Sequence, residues 1–252
     1  MEQKQLAQKA ISLLDLTNLN DDCDDAAIEA LCQRAKTFYG NTAAVCVWPH
    51  FVKKAKECLG GTTIKVATVV NFPHGGEDLF ATLDETAKAL EDGADEIDLV
   101  IPYEAFKVGR RGFAETMVLK VREAVPAPAK LKTILETGVL EDADIIRAAA
   151  DMAIEAGADF IKTSTGKVET NATPEAAEIM MEAIAESGKP VGFKPAGGVR
   201  TLEDAGTYLA IAAKYMGSDW ATPDHFRFGA SGVLDALLAT MQGQTAKAGD
   251  GY

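Results

Sequence analysis

Short runs rich in β-branched and apolar residues alternate along this chain with longer stretches in which apolar positions recur every three to four residues. The β-type runs fall at 13–17, 43–47, 65–70, 96–101, 131–136, 159–163, 190–195 and 226–230. Each is followed by a helical stretch, at 24–37, 49–59, 77–92, 112–125, 141–156, 174–187, 202–216 and 232–241, and an extra helix is expected at 1–12. Start signals support this reading: Thr173 precedes Pro174 at a first helical position, and Thr201-Leu-Glu-Asp204 has the spacing of a capping box.

Eight β units alternating with eight helices through short connections imply a parallel sheet, and at this length they favour a closed (β/α)8 TIM barrel. No Pro-, Gly- or Ser-rich linker interrupts the pattern. The expected organisation is therefore one barrel over 1–241, with the extra N-terminal helix, followed by a flexible C-terminal tail over 242–252 that ends in Tyr252. An open doubly wound sheet remains an alternative at this point. Its dinucleotide-binding version would want G-x-G-x-x-G after the first strand, and that motif is missing there.

In a barrel of this kind chemistry sits at the C-terminal ends of the strands, so polar residues late in the β runs are the informative ones. They are Asp15, Thr17, Cys46, Asp98, Lys132, Lys162, Lys194 and the Gly229-Ala-Ser231 turn. Lys162 and Lys194 lie on successive strands, each preceded by an aromatic residue within two positions. An amine attacks a carbonyl only when unprotonated, and at the ordinary lysine pKa only about one side chain in a few thousand is neutral at pH 7. A second ammonium ~5 Å away would lower that pKa by about two units at an effective dielectric of ~20. Two lysines side by side thus make a candidate nucleophile. Asp98 alternates with apolar neighbours so as to face the interior together with Glu96, either as a lysine's structural partner or as a proton carrier.

Glycines follow the last three strands, at Gly166-Lys167, Gly197-Gly198 and Gly229-Ala-Ser231-Gly232. There they would let backbone N–H groups approach an anion, in the usual phosphate position of such a barrel.

Composition narrows the partners. The 252 residues carry 25 Lys and Arg against 38 Asp and Glu, a net charge of −13. That opposes a general nucleic-acid or anionic-membrane surface, while still allowing a small anion in a locally basic cleft. Cys23, Cys32, Cys46 and Cys58 form no C-x-x-C pair, and neither a signal pattern nor a membrane-length apolar run is seen, so a cytoplasmic protein is expected. His50, His74 and His225 lack metal-ligand spacing, so neither metal nor other cofactor is expected.

The chain resembles the bacterial deoxyribose-phosphate aldolase family along nearly its whole length. The matching motifs are Leu14-Asp-Leu-Thr-Asn-Leu-Asn20, Asn41-Thr-Ala-Ala-Val-Cys-Val47, Val70-Asn-Phe-Pro-His-Gly75, Ala94-Asp-Glu-Ile-Asp98, Leu135-Glu-Thr-Gly138, the two lysine motifs, Phe226-Arg-Phe-Gly-Ala-Ser231 and the terminal Tyr. The resemblance implies a class I aldolase that reversibly cleaves 2-deoxy-D-ribose 5-phosphate to D-glyceraldehyde 3-phosphate and acetaldehyde, in deoxynucleoside catabolism. It further implies Lys162 as the Schiff-base lysine, Lys194 and Asp98 as proton carriers, and Tyr252 as an aid to proton exchange. By the same resemblance Asp15, Thr17, Cys46 and Thr165 contact the sugar, while Gly166, Lys167, Gly197, Gly198, Val199, Arg200, Ser231 and Gly232 surround the phosphate. Gly232 departs from relatives that have a second Ser there. Partners are then small phosphosugars and aldehydes, and a homodimer is allowed but not required. A class I aldolase for another phosphorylated aldehyde and a non-catalytic phosphosugar-binding barrel stay open as alternatives.

Overall fold

A computed structural model of the protein describes residues 2–244. Eight parallel strands form its sheet: β1 (Leu14–Asn18), β2 (Ala44–Val47), β3 (Lys65–Val70), β4 (Glu96–Val100), β5 (Lys130–Ile134), β6 (Phe160–Lys162), β7 (Gly192–Lys194) and β8 (Phe228–Ala230). Their order is β8-β1-β2-β3-β4-β5-β6-β7. Bridges Phe193–Phe226 and Ala196–Gly229 join the two ends, so the sheet closes into the expected (β/α)8 barrel.

The connecting helices start where short polar side chains cap their free N–H groups. Asp24, Asp78 and Asp142 accept from Ala27, Ala81 and Ile145, and Thr173 accepts from Ala176 ahead of the helix Pro174–Ser187. Thr201 and Asp204 form the reciprocal capping box of Leu202–Met216. Losing one such cap costs about 1 kcal/mol. The leading helix Gln3–Ser12 buries Ala7, Ala10 and Ile11 against the last two helices of the ring.

Most of the apolar core lies between the strands and the helix ring, where Leu14, Leu16, Val45, Ile97, Leu99, Leu131 and Ile161 are fully buried. Each such side chain contributes about 1.5–3 kcal/mol. A second, small apolar cluster sits inside the barrel, made of Leu19, Cys46, Ala67 and Val69 with Trp48 and Phe72 packed on it. The rest of the interior is polar. Asp15, Glu96, Asp98, Lys132, Lys162, Lys194 and Arg227 all lie there, at 4% exposure or less.

Several boundaries differ from the periodicity. The helix expected to reach 37 ends at Arg34, because Lys36–Thr37 turns back to pair with Gly40–Asn41 as a short antiparallel ribbon. The strand expected over 131–136 stops at Ile134, because Glu136 takes up a left-handed conformation (φ 58°) and opens a short helix, Thr137–Leu140. An unforeseen helix, Tyr103–Lys107, precedes Arg111–Ala124, the two separated at Gly109 (φ 89°). The final helix, Val233–Gln242, runs one residue into the segment expected to be tail, and Gly243 ends it in the left-handed region. Tyr252 and the rest of that segment past 244 lie outside the described residues.

Candidate active site

Strand register brings the polar residues together. Parallel pairing sets Lys162 on β6 opposite Lys194 on β7, and Asp98 on β4 opposite Lys132 on β5. Side chains two residues apart on a strand point the same way, so Glu96 and Arg227 lie one tier below Asp98 and Gly229 on the same interior face. Small residues make the space. A Cβ on Gly229 would come within 3.1 Å of Lys194 Cε, and one on Gly192 within 2.4 Å of the Phe160 ring.

The centre of the arrangement is the Asp98 carboxylate. Its Oδ2 accepts from Nζ of both Lys162 and Lys194, each at 2.8 Å, while Oδ1 accepts from Lys132 Nζ at 2.8 Å. Lys194 also pairs with Asp15 Oδ2 at 2.6 Å, and Lys132 with Glu96 Oε2 at 2.6 Å. Beneath them the Arg227 guanidinium reaches Asp15 Oδ1 at 2.6 Å and grips both oxygens of Glu96, at 2.7 and 3.0 Å. Four cations therefore share three carboxylates, all of them buried.

Burial penalises every ion here, so the balance of partners decides which group stays charged. Lys162 has the poorest share, a single carboxylate oxygen divided with Lys194. Its pKa is pushed below the ordinary lysine value, first by burial, against the pull of Asp98 and with the help of the Lys194 charge. Repulsion from Lys194 was the expected cause. The structure corrects this, since loss of water around the amine acts more strongly. Burial lowers Lys194 and Lys132 as well, but Asp15 with Asp98, and Asp98 with Glu96, outweigh it and hold both ammonium groups above the ordinary range. Burial likewise fails to raise Asp15 and Asp98, because the surrounding cations keep both carboxyls well below the usual carboxylate range. The result is one amine inclined to lose its proton beside two held cationic. Cys46 faces the same space, and burial raises its thiol pKa, so it is a thiol and not a thiolate.

Thr17, also named by the sequence, is buried and donates its hydroxyl to the Asp15 carbonyl at 2.8 Å. Thr165 donates to Glu136 Oε2 at 2.5 Å, and its N–H points to the same carboxyl. Glu136 is fully buried, and burial raises its pKa against those hydrogen bonds.

The phosphate candidates lie around the loops after β6, β7 and β8. Gly166, Gly197 and Gly198 all adopt positive φ, at 84°, 74° and 84°. At Gly197 a Cβ would sit 2.7 Å from Asn171 Cγ, so only glycine fits both the conformation and the space. Ser231 and Gly232 lead into the N-terminus of Val233–Gln242. The Val199 side chain is buried in the core, and the Arg200 N–H is engaged by Asp204 Oδ2 at 2.9 Å. Lys167 Nζ reaches the Leu19 carbonyl at 2.7 Å and Asp21 at 3.7 Å, contacts that run toward the loop after β1. Among the described residues no group of three His, Cys, Asp or Glu is arranged to hold a metal ion.

Sequence reasoning named Lys132 and Glu96 as inward-facing without assigning them to the site, and left Arg227 and Glu136 as motif letters only. For Arg227 the signal was present. It falls between Phe226 and Phe228, on the alternation that puts Gly229 inward.

Comparison with known proteins gives the same direction. The pattern of the DeoC/LacD family aldolases matches residues 9–236. The deoxyribose-phosphate aldolase of Agrobacterium fabrum is 55% identical over 251 residues, which is 99% of this chain and 97% of that protein. A Coccidioides immitis structure, assigned as a deoxyribose-phosphate aldolase, superposes with a TM-score of 0.83 at 31% identity, covering 93% of this chain and 86% of that one. The tetrameric deoxyribose phosphate aldolase of Aeropyrum pernix, at 24% identity, shares the fold with a TM-score of 0.76 over 95% of this chain and 92% of its own. With matched residues spanning almost the whole barrel and a relative more than half identical end to end, the chain belongs to the DeoC/LacD aldolase family.

Proposed function

We propose that the chain is a metal-independent class I aldolase that reversibly cleaves 2-deoxy-D-ribose 5-phosphate to D-glyceraldehyde 3-phosphate and acetaldehyde, acting in the cytoplasm in deoxyribonucleotide and carbohydrate degradation. The observation that carries this reading is the single Asp98 oxygen shared by Lys162 and Lys194 at 2.8 Å each, next to an amine whose environment disfavours its proton.

In the cleavage direction the neutral Lys162 amine adds to the aldehyde carbon C1 of the open-chain sugar, and a proton passes from the nitrogen to the former carbonyl oxygen to give a neutral carbinolamine. A second proton, delivered through Lys194 and Asp98, lets that oxygen leave as water, and the amine nitrogen's lone pair forms the iminium. The cation at C1 then draws the electrons of the C2–C3 bond as the C3 hydroxyl gives up its proton. Glyceraldehyde 3-phosphate departs, and an enamine remains on Lys162. Protonation of that enamine at its terminal carbon and hydrolysis of the new iminium release acetaldehyde and restore the amine. Asp98 suits the relay because it touches both lysines, and three cations keep it ionised and acceptor-ready.

Asp15, Thr17, Cys46 and Thr165 are proposed to face the sugar. The turns at Gly166, Lys167, Gly197 to Arg200, Ser231 and Gly232 are proposed to surround the phosphate, with a helix N-terminus and N–H groups of these turns other than those of Lys167, Gly197 and Arg200, which already bond Thr165, Gly229 and Asp204. Tyr252 is assigned to proton exchange at the acetaldehyde carbon on the family resemblance alone.

The test is borohydride reduction in the presence of acetaldehyde, followed by peptide mapping, together with product analysis on deoxyribose 5-phosphate. The reading expects one two-carbon adduct, on Lys162, and both three- and two-carbon aldehyde products. Binding of the phosphosugar without adduct or products would instead identify a non-catalytic barrel.

A further inference from the structure

Below the reacting lysines the barrel holds two ions that the proposed chemistry never touches, Arg227 and Glu96, exposed by only 4% and 3%. A well-packed hydrocarbon pair in their place would usually be as stable or more so, so fold stability alone gives no reason for ions there. Their connections give one. Glu96 Oε2 accepts from Arg227 and forms an ion pair with Lys132, Arg227 also holds Asp15, and Asp15 and Lys132 in turn hold Lys194 and Asp98. The route from Arg227 through Asp15 and Lys194 reaches the Asp98 oxygen under Lys162 by ion pairs of 2.8 Å or less, and the route through Glu96 and Lys132 reaches the other Asp98 oxygen by ion pairs of 3.0 Å or less.

The charge count sets the direction. With all groups ionised, four cations face three carboxylates, and the surplus positive charge vanishes when one lysine loses its proton. Lys162 is that lysine, because Lys194 and Lys132 each hold two close carboxylates while it holds one shared oxygen. The titratable groups facing Lys162 are Asp98 from β4, Cys46 from β2, Lys194 from β7 and Glu136 from the turn after β5, with Asp15 and Lys132 one link further. Arg227 supplies the fourth cation without competing for Asp98.

We propose that Arg227 and Glu96 are positioning residues that, through this chain of ion pairs, set the pH at which Lys162 becomes nucleophilic. The inference rests on the Schiff-base reading above. Arg227 keeps its count uncancelled except by Asp15 and Glu96. On its other side is a cavity of about 330 Å³ at the N-terminal end of the barrel, shared with Asp95, Asp224, Lys65 and Lys130, far from the C-terminal face. That cavity gives altered side chains at 227 room and water.

The experiment is the pH dependence of acetaldehyde adduct formation at Lys162, trapped by borohydride, in wild type, Arg227→Gln, Glu96→Gln, Arg227→Lys and the double variant Arg227→Gln/Glu96→Gln. Removing the cation leaves three against three, so the midpoint should move to higher pH. Removing the anion leaves four against two, so it should move to lower pH. A unit charge about 10 Å away at an effective dielectric of about 20 moves a titration by about one pH unit, the size expected in each direction. The double variant restores the surplus of one and should return to within about 0.3 units of wild type, and Arg227→Lys should do the same. A purely structural role predicts slower trapping at every pH with an unmoved midpoint. That result, or two single variants shifting in one direction, would overturn the inference. Should Arg227→Gln fail to fold, the near-isosteric Glu96→Gln carries the test alone, and a midpoint that does not fall refutes it. If wild type forms no adduct at all, the Schiff-base reading fails and takes this inference with it; if wild type forms the adduct and the midpoints stay put, only the inference fails.

Discussion

Replacing Lys162 by Met should abolish aldol cleavage and yet leave the protein as stable as before or more stable, whereas the same change at Lys194 should destabilise it. The two side chains are neighbours, almost equally buried, and bonded to the same Asp98 oxygen at 2.8 Å. What separates them is the partner each would leave behind. Without Lys162, Asp98 still holds Lys132 and Lys194, and three cations balance three carboxylates. The loss is one charged hydrogen bond, about 1.5–3 kcal/mol, offset by the several kcal/mol no longer spent on desolvating a poorly partnered ion. The net change should fall between zero and about 2 kcal/mol of added stability, up to about 8 °C in Tm for a domain of this size. Without Lys194, Asp15 Oδ2 retains only Lys132, at 3.6 Å. Asp15 keeps Arg227 on Oδ1 at 2.6 Å, so the cost is that of one under-satisfied buried carboxylate oxygen, about 1–3 kcal/mol, or roughly 2–12 °C.

Linkage adds a pH signature. Because the folded pKa of Lys162 is depressed, its penalty on stability is full below that pKa and fades as pH rises toward the unfolded value near 10.4. The advantage of Lys162→Met should therefore shrink as pH rises through the depressed folded pKa toward the unfolded value near 10.4. Lys194, with a raised folded pKa, contributes stability that is fully present below about 10.4 and is lost only above it. Thermal and urea unfolding of the two variants at pH 7 and pH 10 decides the matter. A Lys162→Met protein destabilised as much as Lys194→Met would refute the claim that Lys162 is the ill-served ion of the cluster.

Other outcomes follow from the same geometry. Asp98→Asn should reduce turnover by about 10²–10⁴-fold, the usual worth of a general acid–base group, while adduct formation moves to lower pH because two carboxylates then face four cations; stopped-flow turnover and borohydride trapping measure the two effects separately. Gly197→Ala forces a side chain into a φ of 74° with its Cβ 2.7 Å from Asn171 Cγ, so it should cost about 1–3 kcal/mol of stability and raise KM for the phosphorylated sugar more than it lowers kcat. Incubation with EDTA should leave turnover unchanged, since in the proposed mechanism an iminium on Lys162 is the electron sink; loss restored by zinc would show otherwise.

The architecture was legible because period-two and period-3.6 patterns are local. Eight β runs read from single residues became eight strands, and caps such as Thr201 with Asp204 act within one turn. Errors fell where backbone conformation overrides side-chain pattern. Glu136 is a poor candidate for a left-handed residue by type, and nothing nearby announces that the chain will fold it inward against Thr165. Lys36–Thr37 continues an amphipathic helix on paper, yet pairs with Gly40–Asn41 because the following residues must enter β2. Those decisions are tertiary.

Within the site, alternation along a strand disclosed which side chains turn inward, and strand order disclosed that Lys162 and Lys194 are neighbours. Alternation could not disclose how the charges divide. Whether a buried lysine keeps its proton depends on distances of a few tenths of an ångström to carboxylates on two other strands, β1 and β4, and the two lysine bonds that meet at Asp98 span 64 and 96 residues of the chain. A two-lysine argument from sequence therefore assigned the depressed pKa of Lys162 to its neighbour's repulsion, although the same neighbour, better paired, is held more strongly cationic than a free lysine. The asymmetry comes from Asp15. It belongs to β1, reaches across to Lys194 at 2.6 Å, and gives Lys162 nothing. A nucleophile in this barrel is thus defined less by what touches it than by which of its neighbours receives the better carboxylate.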